Sequence, residues 1–297
     1  MRADRAKQLL KNGVYRAIGE ASTELGVVDG GGERTLRVLM YHKVNDRSPN
    51  PTTVPTEVFA EQMELLARLG YQPASLEAVR DHYLEGTPLA PRAVLITFDD
   101  GYRDNLENAL PVLRAHAYPA VLFVPIAYLD DGRPLPHEEL LVTLGVRNPT
   151  LDWDELAELE AGGVRIESHG IGHWPLSDLD PSEATREIAI SKLRLEERLG
   201  REVEAFAFVK GSQADYRPEH ASLVQQAGYK LAFTSVSGAN GPRTDRFRLR
   251  RYNVEPYPPR TFELVLRGAC DLIAVKDTVV GTHARRALNA ALGTATR

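Results

Sequence analysis

One cysteine, Cys270, stands in the 297 residues, so the chain forms no disulfide of its own and carries no Cys-rich zinc site. No apolar run reaches the length of a membrane span. The opening segment, Met1-Arg2-Ala3-Asp4-Arg5-Ala6-Lys7, has no continuous apolar core of the kind a secretory signal needs, and the expectation is a cytoplasmic protein. Basic residues are not in excess: 36 Lys and Arg against 41 Asp and Glu leave a net charge of −5, which gives no global field for nucleic acid. There is no Gly-x-Ser-x-Gly elbow and no Gly-rich phosphate loop, so serine-hydrolase and nucleotide chemistry have no support. Internal repeats and low-complexity segments are absent as well. What is present is apolar mass: 43% of the residues are hydrophobic, enough for one barrel-sized domain or two small ones.

The central stretch is Thr97-Phe98-Asp99-Asp100-Gly101-Tyr102, entered from the apolar run Ala93-Val94-Leu95-Ile96. A short apolar run stopped by Gly reads as a buried strand with a sharp exit. Side chains alternate along a strand, so Asp99 and Asp100 point different ways. One can bind a cation while the other stays free as a base. The same three residues, Asp-Asp-Gly, also suit a plain turn.

Further strands are predicted at 37–44, 120–125, 164–167, 205–209, 229–236 and 248–254, which with the Asp-Asp strand makes seven. Helical spacing or helix signals separate most of them. Residues 57–69 are amphipathic, with Thr56 as N-cap and Gly70 as stop, and 75–85 form a second short helix. A helix interrupted early by Pro111 runs from Asn105 to His116, and residues 130–150 read as a loop or lid. Asp180-Pro181-Ser182-Glu183 has the cap, proline and reciprocal glutamate of a helix start, and that helix runs to Leu199. The last helix is expected over 261–275.

Alternating strands and helices imply parallel strands with right-handed crossovers, and unbroken apolar runs imply strands covered on both faces. The expected fold is α/β, a distorted (β/α)7 barrel, with an open doubly wound parallel sheet as the alternative. His42, Asp99, Asp100, His169 and Lys210 all fall at strand ends, the active-site face in either architecture. Residues 1–32 are read as an N-terminal amphipathic helix with a Gly30-Gly31-Gly32 joint, 33–284 as the domain proper, and 285–297 as a tail. The helix over 3–18 is basic on one side. It is expected to dock on its own domain, and weak contact of residues 2–18 with an anionic membrane surface is the other reading.

The second cluster is Ser168-His169-Gly170-Ile171-Gly172-His173. Two histidines four apart reach one ion in a helical turn or a tight loop, and the glycines between them permit either. One carboxylate and two imidazoles make a three-ligand set that leaves positions open for water. Zn²⁺ suits it best, and Co²⁺, Ni²⁺ or Mn²⁺ fit too. A free carboxylate near such a site takes a proton from water, and a histidine across it protonates a leaving amine, which together hydrolyse an amide or ester. His82, His116, His137 and His220 show no partner pattern and are read as structural or exposed.

These two motifs together resemble the polysaccharide deacetylase family, the NodB-type domain of carbohydrate esterase family 4, from Val38 to about Cys270. The resemblance implies a distorted (β/α)7 barrel and metal-dependent removal of N-acetyl, sometimes O-acetyl, groups from sugars. It implies Asp99 as general base, and Asp100, His169 and His173 as holders of one divalent ion. Leu39-Met40-Tyr41-His42-Lys43-Val44 is similar to the branch of permuted motif order, which makes His42 the general acid. Arg251, in Leu249-Arg250-Arg251-Tyr252-Asn253-Val254, matches an arginine that pairs with the base. Val209 and Lys210 stand where this branch usually has Pro and an aromatic residue. Lys210 and Tyr102 are the candidate substrate-binding residues, with a carbohydrate as partner. The rival functions are a glycan-binding protein with a degenerate site and an amidohydrolase of small non-sugar amides. In the cytoplasmic case the substrate is a sugar intermediate at the inner membrane face.

Overall fold

The computed structural model describes residues 2–25, 35–47 and 52–291, and the Gly30-Gly31-Gly32 joint lies outside them. Seven strands carry the architecture: β1 (Arg37–Tyr41), β2 (Ala93–Asp99), β3 (Ala120–Val124), β4 (Val164–Ser168), β5 (Ala205–Ala207), β6 (Leu231–Phe233) and β7 (Tyr252–Asn253). They lie in the order β7-β1-β2-β3-β4-β5-β6, and every pairing is parallel. Phe233 of β6 also bridges Leu249 in parallel, while β7 pairs with β1. The segment 249–253 therefore joins the two ends of the series and closes a distorted (β/α)7 barrel. An open sheet would leave both ends unpaired.

The apolar runs are buried on both faces, as parallel strands require. Val38, Leu95, Val121, Phe123, Ala205, Ala207, Leu231 and Phe233 form the smaller core together with Leu76 and Val79 of helix α3 (Leu76–Glu85). Their alternate neighbours, among them Leu39, Ile96, Leu122, Ile166 and Phe206, pack outward against the helices. Asp99 shares the inward parity of Leu95, and Glu167 that of Phe123, its register partner.

Helix α1 (Arg2–Glu24) lies against the barrel. Tyr15 stacks 5.6 Å from Tyr257, Lys11 pairs with Glu255, and Gly19 abuts Leu264 and Cys270. A side chain at Gly19 would come within 3.0–3.3 Å of those neighbours, so the glycine permits the close approach. The other helices needed below are α2 (Thr56–Arg68), α4 (Leu110–Ala115), α5 (Glu139–Thr143), α6 (Trp153–Ala161), α7 (Pro181–Leu199), α8 (Pro218–Gln226) and α9 (Pro259–Leu266), and α10 spans Val279–Ala291. No described helix is long and apolar enough to cross a membrane.

Several boundaries differ from expectation: the strands expected at 205–209, 229–236 and 248–254 are shorter, and the segment expected as a loop over 130–150 carries a 3₁₀ turn and α5. The first strand stops at Tyr41, and Lys43–Val44 pair instead with Thr53–Val54 in a separate two-stranded sheet, which leaves His42 at the switch. The helix expected over 261–275 breaks into α9 and a 3₁₀ segment, Asp271–Asp277, because Gly268 at φ 79° turns the chain after its N–H closes on Val265. Pro55, not Thr56, is the N-cap of α2, and its side chain accepts no capping bond.

Candidate active site

β2 delivers two carboxylates with separate surroundings. Asp99, the last residue of the strand, is clamped by Arg251: Nη1 donates to Oδ1 at 2.7 Å and Nη2 to Oδ2 at 2.8 Å. Arg251 is fully buried, donates from Nε to the carbonyl of Thr234, and lies over the Phe123 ring. Burial opposes the charge on Asp99, but Arg251 and then His169 outweigh it and hold the carboxyl below its ordinary range. A bidentate pair with a guanidinium that has no exposure fixes Asp99 as an anion of one orientation.

Asp100 takes the opposite direction because the chain turns there. Its φ is 76° and that of Gly101 is 71°, a left-handed pair that few side chains tolerate and that Asp accommodates better than most. The turn aims Asp100 at the loop after β4. Its Oδ1 is 2.9 Å from Nε2 of His173 and 3.6 Å from Nε2 of His169.

His169 is set by two backbone bonds. Its N–H donates to Val124 O, and Nδ1 donates to Ala207 O at 2.8 Å, which leaves the Nε2 lone pair facing Asp100. Burial pushes its pKa down to about 4, so the ring is a neutral ligand near neutral pH. His173 sits at φ 60° at the end of a tight loop. Glu187 of α7 gathers that loop by accepting the N–H groups of Ile171 and Gly172. A Cβ at Gly170, whose φ is 83°, would come within 2.8 Å of Glu187, so this glycine is needed for the clamp, while one at Gly172 would meet the exposed Trp174 side chain.

The ligand atoms of Asp100, His169 and His173 all lie within 4.8 Å of one another. Asp100 Oδ1 is buried and accepts no well-formed hydrogen bond among the described residues. An orphaned buried carboxylate oxygen facing two imidazole nitrogens, one of them with its proton committed elsewhere, is the donor set of a divalent ion. The three residues fit such an ion.

His42, just past β1, is also placed at this end of the barrel. Its Nδ1 is buried without a partner among the described residues, and its carbonyl accepts from Asn105. Burial lowers its pKa, while Asp100 and Asp99 pull the other way. Lys210 is exposed on the loop after β5, three residues beyond the Ala207 carbonyl that holds His169. Its φ of 57° and the tight Gly211 turn beside it set the path of that loop.

Tyr102 needs correction as a substrate contact. It is 1% exposed, its hydroxyl is engaged with His137 at 2.7 Å and Glu138 at 3.2 Å, and Lys43 lies over its ring. It is part of the wall behind the site.

His137, expected to be structural or exposed, instead lies beside Asp100, with Nε2 3.5 Å from Oδ2 and its ring 5.2 Å from that of His173. The signal available in sequence was Pro136-His137-Glu138 within the polar 130–150 segment, but no spacing rule links it to Asp100. Glu187 was equally silent, since it lies in a regular helix. His82 and His116 are half-buried, and His220 is buried where its Nδ1 accepts the Arg217 N–H at the start of α8.

Residues 86–232 match the family model for polysaccharide deacetylase. Over that stretch, just under half of its length, the chain is similar to this family. It is 28% identical over 221 residues to YxkH of Bacillus subtilis (strain 168), described as a polysaccharide deacetylase, covering 74% of this chain and 72% of that one. It is 36% identical over 85 residues to the poly-beta-1,6-N-acetyl-D-glucosamine N-deacetylase of Escherichia coli (strain K12), 28% of this chain and only 13% of that protein. Among solved structures, IcaB from Ammonifex degensii superposes with a TM-score of 0.66 at 23% identity, over 80% of this chain and 97% of that one, which shows a shared fold.

Proposed function

We propose that this chain belongs to the polysaccharide deacetylase family and is a metal-dependent hydrolase that removes N-acetyl groups from an N-acetylated sugar, polysaccharide or glycolipid precursor. The observation that carries the reading is the division of labour between adjacent carboxylates. Asp99 is tied to Arg251 by both oxygens, whereas Asp100 presents a buried, unsatisfied oxygen to two imidazoles. Metal-assisted amide hydrolysis uses both a fixed anionic base and an open ion site.

Asp100, His169 and His173 would hold a divalent ion, Zn²⁺ by donor preference with Co²⁺ or Ni²⁺ as alternatives, and the ion would supply a more acidic water and a polarised carbonyl. Asp99 accepts the proton of the attacking water, and Arg251 keeps it ionised and aimed. His42 delivers a proton to the departing amine nitrogen. The loop at Val209–Gly211 offers a backbone N–H, that of Lys210, to the carbonyl oxygen as it gains charge. The exposed Lys210 ammonium is placed to meet an acidic or hydroxyl-bearing part of the substrate. The substrate named for the E. coli relative supports an N-acetylglucosamine polymer as the first probe.

The test is acetate release from N-acetylglucosamine oligomers by Zn²⁺-loaded protein. Wild type is expected to release acetate, and Asp99→Asn to lose about 10²–10⁴-fold in rate while keeping its metal. If metal-loaded wild type releases nothing from sugars, and nothing from small N-acetyl amides, the hydrolase reading fails.

A further inference from the structure

We infer that His137 is a positioning residue of the metal site: its Nε2–H fixes the second oxygen of Asp100, so that Oδ1 alone is left to the ion. The inference rests on the ion site argued above and extends it to a residue outside the three-ligand set.

The local hydrogen bonds assign the proton. Nε2 of His137 faces three oxygens and no donor other than the Tyr102 hydroxyl: Tyr102 Oη at 2.7 Å, Asp100 Oδ2 at 3.5 Å and Glu138 Oε1 at 3.8 Å. The Tyr102 hydroxyl has one hydrogen, and Glu138 Oε1 accepts it at 3.2 Å. With that hydrogen given to Glu138, the Tyr102 oxygen is free to accept, and we place the His137 proton on Nε2, facing the phenol oxygen at 2.7 Å and, more distantly, Asp100 Oδ2 at 3.5 Å.

The rest of the cluster holds this arrangement in place. Glu138 is 1% exposed and is neutralised by the fully buried Lys43, and Nδ2 of Asn148 donates to its other oxygen at 2.6 Å. Glu138 is thus saturated and does not draw the His137 proton away from Asp100. The 3₁₀ turn Pro136–Glu138 places His137 and Glu138 side by side, and Leu135 buried ahead of it anchors the turn.

The geometry also separates His137 from the ligands. The nitrogens of His137 do not belong to the group whose donor atoms lie within 4.8 Å of one another, whereas its Nε2 lies near the Asp100 oxygen that group does not use. An N–H on the outer oxygen of a ligating carboxylate orients the ligand and restricts it to one-oxygen binding.

Zn²⁺ affinity measured by competition with a chromophoric chelator tests this directly, with circular dichroism to confirm the fold of each variant. Wild type and His169→Ala are measured first. Failure of wild type to bind Zn²⁺ would overturn the ion site itself, and with it the proposed function. With wild-type binding in place, His137→Ala is expected to weaken Zn²⁺ affinity at least about 10-fold. His137→Gln, whose amide N–H falls near the Nε2 position, is expected to recover most of that loss, and Tyr102→Phe to weaken affinity less than His137→Ala. Should His137→Ala bind as tightly as wild type, or His137→Gln fall as far as His137→Ala, the positioning role is wrong while the metal site stands. If His137→Ala fails to fold, the comparison of wild type with His137→Gln and Tyr102→Phe decides, and equal affinity of Tyr102→Phe and wild type would overturn it.

Discussion

Strand β4 carries both kinds of polar cluster this barrel contains, one toward each end of the same face. From Arg165 near the start of the strand a network runs through Glu167, whose many partners offset only part of the burial that pushes its carboxyl up to about 7. Glu167 accepts from Arg165 Nε, Arg201 Nη1 and the backbone N–H groups of Glu204 and Ala205, and Arg80 closes on Glu204. Just past the other end, His169 meets Asp100, whose Oδ1 is buried and unanswered. The first cluster ties β4 to the start of β5; the second is left incomplete in a way that a bound cation would complete. Satisfaction of buried charge, more than burial itself, separates a structural network from a chemical one.

The largest break in this comparison is expected at the satisfied end. Glu167→Ala leaves the buried N–H groups of Glu204 and Ala205 without an acceptor and takes one of several partners from Arg165 and Arg201, and should cost about 3 kcal/mol of stability by urea unfolding. Metal binding per folded molecule should not change. Loss of metal without loss of stability would reverse the roles assigned to the two ends.

At the open end, pH is the probe. His169 has a pKa near 4 in the folded protein through burial, against about 6.5 unfolded. Between those values the unfolded chain binds more protons, so this contribution is complete above pH 6.5 and lost as pH falls to 4. For metal-free protein it is on the order of 3 kcal/mol. Asp99 and Asp100, held low, extend the same trend below the ordinary carboxylate range. Urea midpoints from pH 7 to pH 4 should fall for wild type and fall less for His169→Gln. Equal slopes would remove the neutral, buried imidazole from the account.

A smaller effect is expected from Asp100→Asn in metal-free protein. It removes a buried charge that the neighbouring histidines, His173 first, hold ionised, at φ 76°, a conformation Asn tolerates well. The unfolding free energy should fall by no more than about 1 kcal/mol. A large loss would mean that Asp100 is paired for stability, like Glu167. Smallest of all is Lys210→Ala, expected within about 0.5 kcal/mol because the side chain is exposed. A raised KM at unchanged stability would sharpen its role as a substrate contact.

The barrel was legible because its signals are local. Apolar runs marked strands such as 93–96, 120–125 and 205–209, and the cap at Asp180 with Glu183 forms as the motif suggests, each side chain accepting the other's backbone N–H. The Asp99-Asp100 step and the His169-Gly-Ile-Gly-His173 spacing were legible too, since each lies within a few residues. What was not legible depends on distance in sequence. His137 reaches Asp100 through a turn held by Lys43 and Tyr102, and Glu187 reaches the His173 loop from the middle of a helix. Neither residue type nor spacing encodes those meetings. Tyr102 was misread for the complementary reason: an aromatic beside a catalytic motif suggests substrate contact, but the saturated hydroxyl and buried ring assign it to the wall.

The most direct test of the central claim is metal content per chain by elemental analysis, after Zn²⁺ loading and desalting, for wild type, Asp99→Asn and Asp100→Asn. About one equivalent is predicted in wild type and in Asp99→Asn, and none in Asp100→Asn, because only Asp100 offers an unanswered oxygen to the histidine pair. Empty wild type after Zn²⁺, Co²⁺ and Ni²⁺ alike, or metal retained in Asp100→Asn, would contradict it.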